Sequence, residues 1–175
     1  MSGIRKGRPA MRGSSKLRPR TLAETAAVLE RPSQDSRVLQ GGAGKKRILF
    51  VCIGNSCRSQ MAEAFARAYG ADIVDASSAG LSPASIIMPL TRKVLADRNI
   101  SASGQFPKGM ETTTHQHYDV VVNMSGQPVN TPGARILRWN VPDPVGHNQE
   151  VYRRVAEQIE ELVMRLVIEL RSSAR

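Results

Sequence analysis

The residues best suited to chemistry are Cys52 and Arg58, which are separated by five residues rich in turn formers. A thiolate is a strong nucleophile, and the planar guanidinium of an arginine binds two oxygens of one anion at once. A loop of this length can curl around a tetrahedral anion, so the sulfur and the guanidinium can face it together. The sequence therefore predicts attack by Cys52 on the central atom of an oxyanion. The predicted oxyanion-binding residues are Ile53, Gly54, Asn55, Ser56, Cys57 and Arg58.

The segments on either side of this loop predict a strand and a helix. The apolar run 48–51 is typical of a strand that is buried on both faces. From Ser59 to Tyr69 the apolar residues recur at helical spacing, and Gly70 follows where a helix C-cap is expected. Cys52 is thereby placed at the carboxyl end of a strand, facing a helix N-terminus. The free N–H groups and partial positive charge of that terminus favour a bound anion and an ionised thiol.

The rest of the chain alternates between strand-like and helix-like segments. Strands are predicted at 72–76, 118–124 and 135–139, and helices at 89–99 and 148–171. The apolar stripe of the last helix is Val151, Val155, Ile159, Leu162, Leu166 and Leu170. This alternation predicts an α/β fold in which helices cover both faces of a parallel sheet. Ligands of such sheets bind at the carboxyl ends of the strands, where Cys52 is placed.

A strand-end cysteine and a helix-start arginine are also ordinary structural features, so the pair alone leaves two interpretations open. The full string Cys-Ile-Gly-Asn-Ser-Cys-Arg-Ser, residues 52–59, resembles the active-site loop of the low-molecular-weight protein tyrosine phosphatase family, Cys-x-Gly-Asn-x-Cys-Arg-Ser. Ser78-Ala79-Gly80 also matches a Ser-Ala-Gly that follows the second strand in that family. The resemblance implies a four-stranded parallel sheet of order 2-1-3-4. It also implies supporting roles for Asn55, which would hold the loop conformation, and Ser59.

The second chemical group is Asp143, in the string Val-Pro-Asp-Pro that follows the last predicted strand. Taken alone, an Asp-Pro pair is typical of a turn. The family carries its general acid in such an Asp-Pro loop, so the resemblance implies that Asp143 protonates the leaving oxygen. A carboxyl group placed opposite the nucleophile is the usual donor for this step.

Two positions depart from the phosphatase pattern and bear on the substrate. Val145 and Gly146 follow the Asp-Pro pair, where the phosphatases commonly have tyrosines that flank an aromatic substrate. Gln60 stands where they usually have proline, and in this respect the chain looks more like the related thiol-dependent arsenate reductases. The additional cysteines of the thioredoxin-linked reductases are missing here, so a reductase of this sequence needs an external thiol.

Three functional hypotheses follow. The leading one is a cysteine-dependent phosphomonoester hydrolase, in particular a protein tyrosine phosphatase, that forms a phosphocysteine on Cys52 and acts on a phosphorylated protein or a small phosphomonoester. The alternative is an arsenate reductase that uses the same loop with an external thiol donor. The third is an inactive adaptor that binds oxyanions, and the intact set of Cys52, Arg58 and Asp143 argues against it.

Cys57 is a candidate redox partner of Cys52, because both sulfurs lie on one curled loop and can come within disulfide reach. A second thiol beside a reactive thiolate captures the first oxidation product before further oxidation occurs. The structural alternative is that Cys57 only packs beneath the loop. No metal site is predicted, because His115 and His117 have no apparent third ligand, and the chemistry requires no cofactor.

Charge divides the chain into two parts. Residues 1–47 carry a net charge of +9 and residues 48–175 a net charge of +1, out of +10 for the 175-residue chain. Residues 1–44 therefore predict a basic, disordered extension with one short helix at 21–30, and residues 45–175 a catalytic domain. Nucleic-acid binding is not expected of a nearly neutral catalytic domain. The extension itself stays open to several interpretations: a solvated tail, an organelle-targeting segment, a tether to anionic surfaces or an over-extended start of translation.

The cellular setting is inferred from cysteine content and hydropathy. Two cysteines, both in the motif, indicate a reducing compartment without a disulfide framework. No apolar run approaches the roughly 20 residues that cross a bilayer. The expectation is a cytoplasmic protein, with organelle targeting by the extension left open, and the sequence does not predict an oligomeric state.

Overall fold

The structure, a computed structural model, describes residues 44–173. Apart from Gly44, the predicted extension and its helix at 21–30 lie outside these residues, so the boundary at 44/45 stays a prediction. The elements are β1 (Lys46–Cys52), α1 (Arg58–Tyr69), β2 (Val74–Gly80), α2 (Pro89–Ala96), a 3-10 helix (Met110–Thr113), β3 (Val120–Asn123), β4 (Arg135–Arg138) and α3 (Gln149–Ser173). Within the described residues, no helix is long and apolar enough to cross a membrane.

The four strands form one parallel sheet of order β2-β1-β3-β4, which confirms the predicted fold. The central strand β1 is buried on both faces because its apolar residues alternate between two cores. Ile48 and Phe50 pack with the buried residues of α1, α2 and α3. Leu49 and Val51 pack on the opposite face, where Met110 of the 3-10 helix lies against the core. Each such side chain contributes roughly 1.5–3 kcal/mol on burial, so β1 is a firm base for the residue at its end, Cys52.

Strand β2 runs further than its apolar pattern predicts. The prediction ended at Ala76, whereas the strand continues to Gly80 because 77–80 pair in register with 49–52. The Ser-Ala-Gly string is therefore the end of the strand rather than the segment after it. A Cβ on Gly80 would lie 2.7 Å from the carbonyl oxygen of Ile53. Only glycine allows β2 to approach Ile53 and Asn55 this closely.

The helices also differ from prediction at their edges. Helix α2 ends at Ala96, three residues before the predicted end at Asn99, whose φ of 58° is left-handed. In α3 the buried stripe is Tyr152, Val155, Ala156, Ile159, Val163, Leu166, Val167 and Leu170, while Val151 and Leu162 are only partly buried. The observed stripe thus brings Tyr152 to Cys57, whose Sγ lies 3.5 Å from the tyrosine hydroxyl oxygen.

Candidate active site

The oxyanion loop, residues 53–57, joins the carboxyl end of β1 to the N-terminus of α1. The helix has no side-chain cap at its start and no acidic residue in its first turn. The N–H groups of the first helical turn are therefore free to donate to an anion. The loop and the first helical residue border a cavity of about 270 Å³, which is lined by Cys52, Ile53, Gly54, Ser56, Cys57, Arg58, Ala84, Met88, Asp143 and Val145. We call it the oxyanion cavity.

Asn55 does not line this cavity; its side chain turns away and braces the loop from behind. The residue is fully buried and left-handed, with φ of 45°. Its Nδ2 donates to Ser59 Oγ and to Ser78 Oγ, both at 2.8 Å. Its Oδ1 accepts from the backbone N–H of Lys108 at 2.8 Å and from Gln60 Nε2 at 3.0 Å. An uncommon backbone conformation is stable here because four partners hold the side chain.

The same network reaches the nucleophile through Ser59. Ser59 Oγ accepts from Asn55 and lies 2.9 Å from Cys52 Sγ. Because Asn55 supplies one hydrogen to this oxygen, the hydroxyl hydrogen of Ser59 is free to point at the sulfur. Ser59 can therefore donate to Cys52 Sγ and hold the sulfur in place.

Arg58 is buried and fixed at the junction of three segments. Its Nη1 donates to the carbonyl oxygens of Met124, at 2.8 Å, and Val141, at 3.3 Å. Its Nη2 forms an ion pair with Asp143. Its Nε is buried without a hydrogen-bond partner among residues 44–173. Such a donor costs roughly 1–3 kcal/mol when unsatisfied, so the cavity favours an anion beside this guanidinium.

Asp143 approaches the cavity from the segment after β4. Its side chain is 43% exposed, and its Oδ1 accepts from the backbone N–H of Val145 at 3.2 Å. The structure thus brings Cys52, Arg58 and Asp143 around one cavity, although ninety-one positions separate the cysteine from the aspartate. A carboxyl group in this place can give a proton to an oxygen that leaves from the bound anion.

Cys57 lines the cavity but is 2% exposed. Its Sγ lies 3.5 Å from the hydroxyl oxygen of Tyr152 and 3.8 Å from Ser56 Oγ. Burial raises the pKa of the Cys57 thiol, and hydrogen bonds from Thr91, Tyr152 and Ser56 offset the rise only in part. Both cysteines are free thiols. Their pairing on oxidation therefore stays a prediction.

A buried carboxylate behind the loop escaped the sequence analysis. Glu63, on α1, is 1% exposed and accepts from Ser78 Oγ, which in turn accepts from Asn55. Lys108 Nζ lies 3.5 Å from Glu63, and Arg67 forms a second ion pair with it. Lys108 and Arg67 balance the buried negative charge of Glu63. A chain of hydrogen bonds therefore joins Glu63 to Cys52 through Ser78, Asn55 and Ser59.

The part of the chain that the structure describes contains no cluster of metal-binding side chains. No group of three His, Cys, Asp or Glu side chains there is close enough to hold an ion.

Comparison with known proteins identifies the family. The family model for low molecular weight phosphotyrosine protein phosphatases matches residues 47–175. The chain belongs to this family. A curated relative, the glutaredoxin arsenate reductase of Synechocystis sp., is 36% identical over 130 residues, which cover 71% of this chain and 98% of the relative. The relatives of this chain therefore include enzymes that are named for arsenate reduction.

The solved structures similar to this chain include both an arsenate reductase and a phosphatase. An arsenate reductase in a phosphate-binding state is 35% identical, with a TM-score of 0.66, and the match covers 71% of this chain and 98% of that one. A low molecular weight protein tyrosine phosphatase from T. tengcongensis is 25% identical, with a TM-score of 0.62, over 71% of this chain and 99% of that one. Fold and family are thus common to reductases and phosphatases.

Proposed function

We propose that this protein reduces arsenate to arsenite with electrons from an external thiol. The observation that carries the proposal is the lining of the oxyanion cavity, in which no residue is aromatic. Ala84, Met88 and Val145 form its apolar wall, so no ring is present to flank a phosphotyrosine. The cavity encloses about 270 Å³, at the lower end of the roughly 300–1,000 Å³ of sites that bind small organic molecules, and it is large enough for a tetrahedral oxyanion. The identity to arsenate reductases supports the same choice.

The reaction begins on arsenic. The Cys52 thiolate attacks arsenic(V) and forms an S–As bond, while Arg58 and the loop N–H groups hold the outer oxygens. One oxygen leaves as water after it takes a proton from Asp143. Ser59 and Asn55 act on this step only by holding the sulfur and the loop.

The reduction of arsenic begins with an attack on the sulfur atom of Cys52. An external thiolate attacks Cys52 Sγ, and an S–S bond forms as the S–As bond breaks. Its electron pair passes to arsenic, which is thereby reduced to arsenic(III) and released as arsenite. A second thiol then cleaves the mixed disulfide, restores the Cys52 thiolate and leaves with the first thiol as a disulfide.

The thiol is external because the sequence offers one other cysteine, Cys57. Its burial and raised pKa keep it largely protonated near neutral pH, and the thiolate is the form that attacks. A thiol from solvent is therefore the proposed electron donor.

Phosphomonoester hydrolysis is the second candidate, and the place of Asp143 beside Arg58 favours it. In that reaction Cys52 attacks phosphorus, Asp143 protonates the leaving alcohol and then activates water against the phosphocysteine. Hydrolysis uses the same three residues, Cys52, Arg58 and Asp143. It also requires a substrate whose organic part fits the surface outside the oxyanion cavity.

The deciding experiment compares both activities on the full chain, with Cys52→Ser as the blank. Arsenite is measured with glutathione plus glutaredoxin and with thioredoxin as donors, and phosphate is measured from p-nitrophenyl phosphate and a phosphotyrosine peptide. We expect arsenite formation and only slow hydrolysis of the peptide. Efficient peptide hydrolysis without arsenite formation contradicts the proposal and supports the phosphatase. The absence of any turnover supports the inactive adaptor.

A further inference from the structure

A second cavity lies on the other side of Arg58. It encloses about 450 Å³ and is lined by Arg58, Asn123, Met124, Ser125, Gly126, Gln127, Pro128, Arg138, Trp139, Asn140 and Val141. Apart from Arg58, these residues come from the carboxyl ends of β3 and β4 and the segments that follow them. Its volume falls within the roughly 300–1,000 Å³ of sites that bind small organic molecules. Only Arg58 lines both cavities.

One wall of this second cavity is held in place without a ligand. Asn123 Nδ2 donates to the carbonyl oxygen of Gln127 at 2.7 Å, and Asn123 Oδ1 accepts from the backbone N–H of Ser125 at 2.8 Å. Gly126 completes the turn with φ of 75°. The opposite wall is Trp139, whose ring is 6.0 Å from that of Phe50 in the core. A preformed site of this kind binds with little ordering cost.

The polar groups of the second cavity match a peptide-like acid. The guanidinium of Arg138 and the side-chain amides of Gln127 and Asn140 line the cavity. The carboxylate of Glu169 is paired with Arg135, at the other end of β4, and not with Arg138. A free guanidinium pairs with a carboxylate through two parallel hydrogen bonds. Free side-chain amides pair with peptide groups, and the Trp139 ring offers an apolar surface.

We propose that this cavity binds the external thiol, a low-molecular-weight peptide thiol whose carboxylate pairs with Arg138. This inference rests on the proposed function, because the arsenate reductase reaction is the reason to expect a thiol as the ligand. A ligand anchored at Arg138 would extend its sulfur across Arg58 towards the Cys52–arsenic adduct. The thiolate then attacks Cys52 Sγ, the S–As bond breaks with its electron pair moving to arsenic, and a mixed disulfide forms.

Binding is measured with S-methylglutathione, which cannot react because its sulfur is capped. Trp139 is the single tryptophan of the chain, so its emission reports on this cavity directly. We expect a saturable change in emission with wild type and with Arg154→Gln, an arginine on α3 that lines neither cavity. Arg138→Gln should weaken binding about tenfold, the loss of one charged pair. Arg138→Lys should recover part of it.

Turnover supplies the second measurement. In Arg138→Gln the KM for glutathione should rise about tenfold, and the rise should be larger than for cysteamine, which has no carboxylate. Circular dichroism checks that each variant is folded. Binding of S-methylglutathione without any arsenite formation would reject the proposed function and retain this site. No change in emission, or equal affinity in Arg138→Gln and Arg154→Gln, overturns the site. Turnover with thioredoxin but no binding of S-methylglutathione also overturns it and leaves the reductase proposal intact.

Discussion

The oxyanion loop and the segment that carries Asp143 face the same cavity but are held very differently. Behind the loop, Asn55 is buried and bonded to Ser59 and Ser78 at 2.8 Å. Asp143 is 43% exposed, and its partners are Arg58 and one backbone N–H. Side chains in a buried network have one position, whereas an exposed carboxylate can move when an anion replaces it at the guanidinium. The comparison separates a rigid anion-binding half from an adjustable proton-donating half.

The rigid half contains the nucleophile, and Cys52→Ser removes it at nearly constant volume. Serine near neutral pH is not ionised, so we expect kcat to fall about 10⁴-fold or more. The measurement is single-turnover formation of the covalent adduct, by mass spectrometry, together with steady-state rates. Activity close to wild type would remove Cys52 from the nucleophile role.

Arg58→Lys tests whether geometry or charge matters at the centre of the rigid half. A lysine keeps the charge but cannot hold the Met124 and Val141 carbonyl groups and two anion oxygens together. We expect a loss of about 10²–10³-fold in kcat/KM. An increase in KM alone, with kcat unchanged, would show that Arg58 only attracts the anion.

Asp143→Asn tests the adjustable half. The general acid is needed most where the leaving oxygen is basic, so the rate should fall about 100-fold for alkyl phosphates and only a few-fold for activated aryl phosphates. The melting temperature should change little because the side chain is half exposed. Equal slowing for both kinds of substrate would remove Asp143 from the acid role.

Asn55→Ala tests the network behind the loop, and its main effect should be on stability. The variant removes the hydrogen bonds that Asn55 makes with Ser59, Ser78 and the N–H of Lys108, so unfolding free energy should fall by about 2–3 kcal/mol and kcat by about tenfold. Denaturant titration measures the first and steady-state kinetics the second.

The matched control is Asn99→Ala, because Asn99 is the other non-glycine residue with positive φ among the described residues. It has a similar left-handed backbone, with φ of 58°, in the exposed turn that follows α2. The difference between the two variants isolates the network from the backbone strain. Equal destabilisation would mean that the hydrogen bonds of Asn55 add nothing.

The sequence predicts the elements around the site better than the contacts behind it. Cys52, Arg58 and the strand and helix around them follow from a local motif and from two clear periods, and the structure confirms these elements. Asn55 is predicted both among the oxyanion-binding residues and as the residue that holds the loop conformation. In the structure its backbone is left-handed and its side chain turns away from the oxyanion cavity, where it braces the loop.

The parts that the sequence missed depend on pairing across the fold. The end of β2 is a strand because 77–80 pair with β1, although small residues give no strand pattern. Glu63 and Lys108 are 45 positions apart, and a glutamate on a helix ordinarily faces water. Tyr152 differs from the predicted Val151 by one position, a shift that a 3.6-residue period does not resolve in so long a helix.

The smallest effect on the resting enzyme, and the one that bears on both halves, concerns Cys57. Peroxide converts the Cys52 thiolate to a sulfenic acid, and the Cys57 thiolate displaces hydroxide from it to form a disulfide. The pKa of Cys57 is raised by burial, so below that pKa each unit of pH increases its thiolate about tenfold. Disulfide yield should therefore rise from pH 7 to 9.

Mass spectrometry of the peroxide-treated protein measures the two products at each pH. At pH 7 we expect more over-oxidised Cys52, and at pH 9 more disulfide and more activity recovered with dithiothreitol. Cys57→Ser removes the capture step, so its inactivation should be irreversible at both values. A free Cys57 beside over-oxidised Cys52 at pH 9 would show that burial in the rigid half prevents the sulfurs from meeting, and that Cys57 only packs beneath the loop.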